Sequence, residues 1–142
     1  MAEALTLSFE PDPAPEDLAS LSRALVASND ANGPPEEWRR VTFFLRDGDG
    51  AICGGLDGNT YWGWLFVRQL WVDSAHRRSG HGTALMLAAE HEAASRGCAN
   101  AHLDTFDFQA LPFYRKLGYS VFGELADFPG GHTRYFLSKR GF

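Results

Sequence analysis

A chain of 142 residues is the length of one ordinary domain, and its apolar, charged, glycine and proline contents are near globular averages, which excludes disordered, collagen-like and repeat architectures. The formal charge of −5 argues against general affinity for nucleic acid or anionic lipid, and no apolar run approaches the roughly eighteen residues needed to span a bilayer. Met1 to Leu5 lacks the basic start and long apolar stretch of a secretory signal, and Cys53 and Cys98 stand in no metal-ligand spacing, so a cytoplasmic protein with two reduced thiols is expected.

Leu5 to Phe9 alternates like a strand, which Pro11, Pro13 and Pro15 then stop. From Pro15 to about Ser28 the apolar residues Leu18, Leu21, Leu25 and Val26 recur at helical spacing. Asn29 to Pro35 reads as loop, and Pro35 to Arg40 as a short second helix. Val41 to Arg46 and Ala51 to Leu56 form a hairpin around Asp47-Gly48-Asp49-Gly50. Asp57-Gly58-Asn59 reads as a further turn, before one long aromatic and β-branched strand from Tyr61 to Val72. Ser79 to Arg96 is helical, with Ala84, Leu85, Leu87 and Ala88 on its apolar face and Gly97 placed to end it. Ala99 to Phe106 is a strand, Gln109 to Leu117 a short helix ended by Gly118, and Tyr119 to Glu124 and His132 to Ser138 the last two strands. The order implies one domain over residues 1–142 of α/β (α+β) class. Its sheet is mixed and mostly antiparallel, with one central β-α-β crossover that makes the strands ending at Val72 and starting at Ala99 run parallel.

The stretch that carries chemistry runs from Leu70 to Leu85. A strand delivers the chain to Arg77-Arg78-Ser79-Gly80-His81-Gly82, where glycines allow close backbone approach as a helix begins. The first N–H groups of a helix lack internal partners and lie at the positive end of its dipole. The pattern fits an anion cradle, to which Arg77 or Arg78 adds charge-assisted bonds; a plain loop-to-helix junction has the same local pattern.

Two blocks together resemble the GNAT superfamily of N-acetyltransferases. Arg77-Arg78-Ser79-Gly80-His81-Gly82 is similar to the hallmark Gln/Arg-x-x-Gly-x-Gly/Ala. Ala110, Tyr114, Gly118 and Tyr119 then match the block Ala-x-x-x-Tyr-x-x-x-Gly-Phe/Tyr in the right order. The resemblance covers roughly Val41 to the C-terminus, and more loosely the N-terminal helices. It implies a GNAT-like fold and transfer of an acetyl or other acyl group from acetyl-CoA to a primary amine, by direct attack in a ternary complex. On this resemblance the backbone of Arg78, Ser79, Gly80, His81, Gly82 and Thr83, aided by Arg77, holds the pyrophosphate. The backbone of Leu70, Trp71 and Val72 pairs with the pantetheine arm, which requires the two parallel strands to splay, often through a bulge in the first. A backbone donor near Leu70 or Trp71 polarises the thioester carbonyl. Asp107, Gln109 and Phe113 lie along the cofactor's other side, and Tyr114 is the catalytic acid that protonates the leaving thiolate. A homodimer is a further expectation from the resemblance.

The general base is open. Where many relatives carry a glutamate on the long strand this chain has Arg68, followed by Gln69, so a water chain, Asp104, Glu124 or His132 stand as candidates. Asp107 also departs from the asparagine common at its position. Tyr61, Trp62, Trp64 and Phe66 are candidates to wall an acceptor pocket, although aromatics on a strand also serve as core; Gly123 to His132 is a candidate acceptor edge. No metal site is expected. The pair His91-Glu92 has Ser95 where a zinc protease carries its second histidine, and Asp47 to Gly50 lacks the later ligands of a calcium loop. The glycine pair lacks a dinucleotide fingerprint's third glycine and a phosphate loop's lysine. A non-catalytic acyl-CoA sensor or regulatory module is the alternative function, favoured by the missing carboxylate at position 68 and opposed by Tyr114.

Overall fold

A computed structural model describes residues 3–142, so Met1 and Ala2, part of the signal-peptide reading, lie outside the described residues. The chain divides into a unit ending at Glu36 and a unit from Glu37 to Phe142. The first holds one helix, α1 (Pro15–Asn32). Proline occupies its first turn, where a missing N–H costs nothing, and Glu16 and Asp17 complement the positive end of its dipole. Leu5 to Phe9 forms no strand, contrary to its alternation, because alternation without a partner edge leaves the backbone unpaired. Pro35 to Arg40 forms no helix; Arg39 already belongs to the first strand.

The second unit contains β1 (Arg39–Arg46), β2 (Ile52–Tyr61), β3 (Trp64–Val72), a single 3₁₀ turn (Ser74–His76), α2 (His81–Ser95), β4 (Asn100–Phe106), α3 (Leu111–Lys116), β5 (Ser120–Ala126) and β6 (Thr133–Arg140). The strands form one sheet in the order β1-β2-β3-β4-β6-β5, parallel only between β3 and β4. The expected fold class is therefore realised, with α2 in the crossover between the two parallel strands.

Two turns fall elsewhere than the sequence suggests. The long strand from Tyr61 to Val72 is broken by a two-residue hairpin turn at Trp62 and Gly63, whose φ angles of 47° and 77° are the left-handed pair that joins antiparallel strands. Tryptophan in place of the usual asparagine or aspartate hides that signal. Asp57-Gly58-Asn59 is not a turn but the middle of β2, and Gly58 serves another purpose described below.

The core lies between α2 and one face of the sheet. Leu85, Met86, Ala89 and Ala93 of the helix meet Val41, Leu56, Leu65, Val67, Ala101, Leu103 and Leu137 from five strands, all with almost no exposure. Strand alternation puts Ala101, Leu103 and Thr105 of β4 on this face, and His102, Asp104 and Phe106 on the other. One charge is buried within the layer. The Glu90 carboxylate accepts hydrogen bonds from the Tyr119 hydroxyl at 2.9 Å and from Lys139 Nζ at 2.8 Å, pinning α2 to the strands behind it. The helix ends as its sequence dictates, with Gly97 at φ 83° and the Cys98 amide donating to the Ala93 carbonyl at 2.9 Å. Among the described residues no helix is long and apolar enough to cross a membrane.

Candidate active site

The parallel ladder between β3 and β4 stops early. It runs from Trp64 opposite Asn100 to Val67 opposite Leu103, although β3 continues to Val72 and β4 to Phe106. The cause is one extra residue. Asp57 of β2 pairs with Gln69 and Gly58 pairs with Val67, so Arg68 is a bulge that bends β3 away from β4. Gly58 permits this, because a β-carbon there would collide with the Phe66 carbonyl. The opening is the splay expected from the sequence, and the main chain from Arg68 to Val72 faces it without a β4 partner.

The loop after β3 is fixed by its own side chains. The Asp73 carboxylate accepts from the His76 amide at 3.0 Å and lies 2.7 Å from His76 Nδ1, contacts that hold its carboxyl below the usual carboxylate range. Arg77 Nε donates to the Val72 carbonyl at 2.9 Å and so closes the end of the strand. Arg78 and Gly80 then take left-handed φ angles of 62° and 82° to aim the chain into α2. The first helical hydrogen bond is Ala84 N–H to the Gly80 carbonyl, so the amides of His81, Gly82 and Thr83 point out of the helix unspent. A β-carbon on Gly82 would stand 3.3 Å from the Phe113 ring, so glycine leaves the space above these amides open.

Phe113 and Tyr114 on α3, with Phe108 and Gln109 before it, form the facing wall. Gln109 Oε1 accepts from the Thr105 hydroxyl and from the Phe106 amide, both at 3.0 Å, which fixes the entry to α3. The resulting groove encloses about 1220 Å³ and brings together Leu70, Trp71 and Val72, Arg77 and Arg78, Gly80 to Thr83, Gln109, Phe113 and Tyr114. Ser79 and Asp107, also singled out from the sequence, are not among its walls. Asp107 instead accepts from the Thr133 amide at 2.9 Å and sits 2.8 Å from His132 Nδ1. Its carboxyl is held below the usual range, first by the Thr133 amide and also by His132. Sequence reasoning missed Val67, Gln69, His76, Thr105, Phe108 and Lys116 as walls of the groove. His76 adjoins the first family block and Lys116 lies within the second, which is the signal that pointed to them; Phe108 stands between Asp107 and Gln109, both singled out from the sequence.

Tyr114 is only 7% exposed, and among the described residues its hydroxyl has no hydrogen-bond partner. Burial, and secondarily the negative charge of Asp104, push its pKa up to about 12. The phenol therefore keeps its proton at neutral pH.

The candidate bases separate on geometry. Asp104 Oδ1 accepts from both Arg134 Nε at 3.0 Å and Arg134 Nη2 at 2.6 Å, and that guanidinium lies among the rings of Phe106, Phe128 and Phe136. Glu124 is exposed on the edge strand β5. His132 has its Nδ1 fixed by Asp107 and its ring edge-on to Phe108, a groove wall. Arg68 donates to Asn59 Oδ1 at 3.0 Å and lies 3.6 Å from Asp57 Oδ2.

A second cavity of about 570 Å³ opens on the sheet face opposite α2, between Tyr61, Trp62, Trp64, His102, Phe122, Ser138 and Arg140. Three of the four aromatics expected around an acceptor line it, and the fourth, Phe66, stacks on His102 with ring centres 4.8 Å apart. Ligand atoms of Cys53, Asp73 and His76 also lie within 4.8 Å of one another, but the Asp73 oxygen nearest His76 is already engaged by its amide and ring.

Known proteins share this chain's sequence family and fold. The profile of the acetyltransferase (GNAT) family matches residues 7–119. An acetyltransferase of Agrobacterium fabrum is 37% identical over 116 residues, covering 82% of this chain and 85% of that one. The blasticidin-S acetyltransferase of Streptomyces morookaense is 41% identical over 91 residues, covering 63% and 67%. The crystal structure of an acetyltransferase from Agrobacterium tumefaciens superposes with a TM-score of 0.90 at 32% identity, covering 96% of this chain and 99% of that one. A family profile spanning most of the chain, a relative matched along most of its length and a solved structure that superposes over nearly all of it lead to one conclusion: the chain belongs to the GNAT family of acetyltransferases.

Proposed function

We propose that this protein transfers an acetyl group from acetyl-CoA to a primary amine by direct attack within a ternary complex. The observation that carries the reading is the splay of β3 from β4, with the open helix start of α2 at one end and the Tyr114 hydroxyl in the same groove. The unspent amides of His81, Gly82 and Thr83 suit a pyrophosphate, and glycine at 82 leaves room for it. Unpaired β3 backbone suits an amide-bearing arm added like a strand. Acetyl-CoA, when bound, supplies an activated acyl group with a thiol leaving group.

The chain's own residues supply orientation and proton handling. Tyr114, with its proton held firmly, donates to a departing thiolate rather than ionising in advance. Removal of the amine proton falls to His132. Asp107 holds its Nδ1, which leaves Nε2 to accept, whereas Asp104 is spent on Arg134. The name of the Streptomyces relative supports a small-molecule amine as acceptor. The second reading, an acyl-CoA-binding module without turnover, draws on Arg68, a cation bound to Asn59 where relatives carry a carboxylate.

Calorimetric titration with acetyl-CoA, repeated with Gly82→Trp, tests the site. Binding by the wild type and none by the folded variant is expected, since indole at 82 would occupy the space against Phe113. A wild type that binds no acyl-CoA would overturn the proposal. Thiol release with a panel of amines then separates enzyme from sensor.

A further inference from the structure

The face of the sheet opposite α2 carries a continuous file of planar groups. The Arg140 guanidinium lies 4.8 Å over the Trp64 ring. Trp64 meets His102 edge-on at 6.0 Å, His102 stacks on Phe66 at 4.8 Å, and the Arg68 guanidinium lies 5.4 Å over Phe66. Trp64 and Arg68 are four residues apart on β3, so the file is about 13 Å long. One end is the 570 Å³ cavity and the other is the bulge where the splay begins.

Charge on this face of the sheet is unevenly matched. The guanidinium of Arg68 has Asp57 and that of Arg134 has Asp104. Arg140 has none, since among the described residues no carboxylate lies within ion-pair distance of it. Around it the cavity offers the Ser138 hydroxyl and aromatic walls, including Phe122, the extra residue of a bulge in β5. A guanidinium laid on an indole keeps its outer N–H edge free to form a forked pair with a planar anion. A single cation balances a singly charged carboxylate, whereas a phosphate would leave a second charge uncompensated in an apolar cavity.

We infer that this face is the acceptor subsite, and that it selects amines built on a flat aromatic body ending in a carboxylate held by Arg140. The inference rests on the acetyltransferase reading and specifies its acceptor. The ring system lies along Trp64, His102 and Phe66, which places the amine at the splay and the acid in the cavity.

The test uses two probes that differ in one group: a biphenyl with an aminomethyl group at one para end and a carboxylate at the other, and the same amine without the acid. Each is titrated calorimetrically into the whole protein, with and without coenzyme A. The acid probe is expected to bind roughly tenfold or more tightly than the neutral one to the wild type. Arg140→Gln should erase that difference while leaving the neutral probe unchanged, and Arg140→Lys should keep part of it. Arg140 is exposed, so all variants should melt with the wild type. Equal affinities, no binding of the acid probe, or a preference that survives Arg140→Gln would overturn the inference. Coenzyme A binding, read in the same titrations, tests the parent proposal separately.

Discussion

Gly58 of β2 lies against the main-chain carbonyl of Phe66 in β3, with room for a hydrogen and none for a methyl group. That contact permits the Arg68 bulge, which in turn parts β3 from β4. Gly58→Ala should therefore cost about 1–3 kcal/mol of stability, as forced overpacking does. It should also weaken acetyl-CoA binding more than a matched destabilisation in the core, such as Leu137→Val. Denaturant melts and calorimetry on the two variants give the comparison; equal loss of affinity would separate Gly58 from the splay.

Tyr114→Phe should lower kcat by about 10²- to 10⁴-fold with little change in acetyl-CoA affinity, because it removes one proton donor and no packing. His132→Gln should lower kcat by about a hundredfold on the same grounds. Because the Tyr114 pKa is pushed up to about 12, the wild-type rate should show no alkaline decline below pH 10. Stopped assays of thiol release across pH 6–10 would reveal such a decline.

Alkali should unfold the protein through its buried phenols. Burial raises the pKa of Tyr114 and, with the neighbouring Glu90 carboxylate, that of Tyr119. An unfolded tyrosine ionises near pH 10. Their contribution is thus fully present below about pH 10 and is lost as pH rises toward each folded value. Each contributes a slope of about 1.4 kcal/mol per pH unit in that window. Urea melts at pH 9 to 12 should show the fall, and Tyr119→Phe should make it shallower.

Glu90→Ala removes a carboxylate that is 5% exposed and holds both Tyr119 and Lys139. The ammonium of Lys139 would be left without its partner, at a cost of about 3 kcal/mol. Glu90→Ala with Lys139→Met should recover part of the loss. A double variant no more stable than the single one would show that the pair is not the source of the penalty.

How far the sequence could be read depended on the range of the interaction. The glycines at 80, 97 and 118 act through their own backbone, so the start and end of α2 and the end of α3 were legible locally, whereas the space that Gly82 leaves is set by Phe113 from another element. Gly58 was misread as a turn residue because its reason lies eight residues away, in the Phe66 carbonyl. The need for a splay, often made by a bulge, was foreseen from the family resemblance, but the position of the bulge at Arg68 emerges only from the register of β2 against β3. Arg134 reaches Asp104, and His132 reaches Asp107, across the β4–β6 pairing, from 30 and 25 residues away in sequence. No local pattern announces such pairs. The file from Arg140 to Arg68 likewise needs three strands in register before it exists.

The main-chain character of the splay has an evolutionary corollary. What β3 offers beyond Val67 is a row of amides and carbonyls, which any side chain can accompany so long as the extra residue and the glycine opposite it persist. Donor recognition and acceptor choice are then inherited on separate terms. On the proposed reading, the aromatic and charged residues of the sheet face opposite α2 can change with the amine, while one inserted residue in a strand keeps the place of the donor.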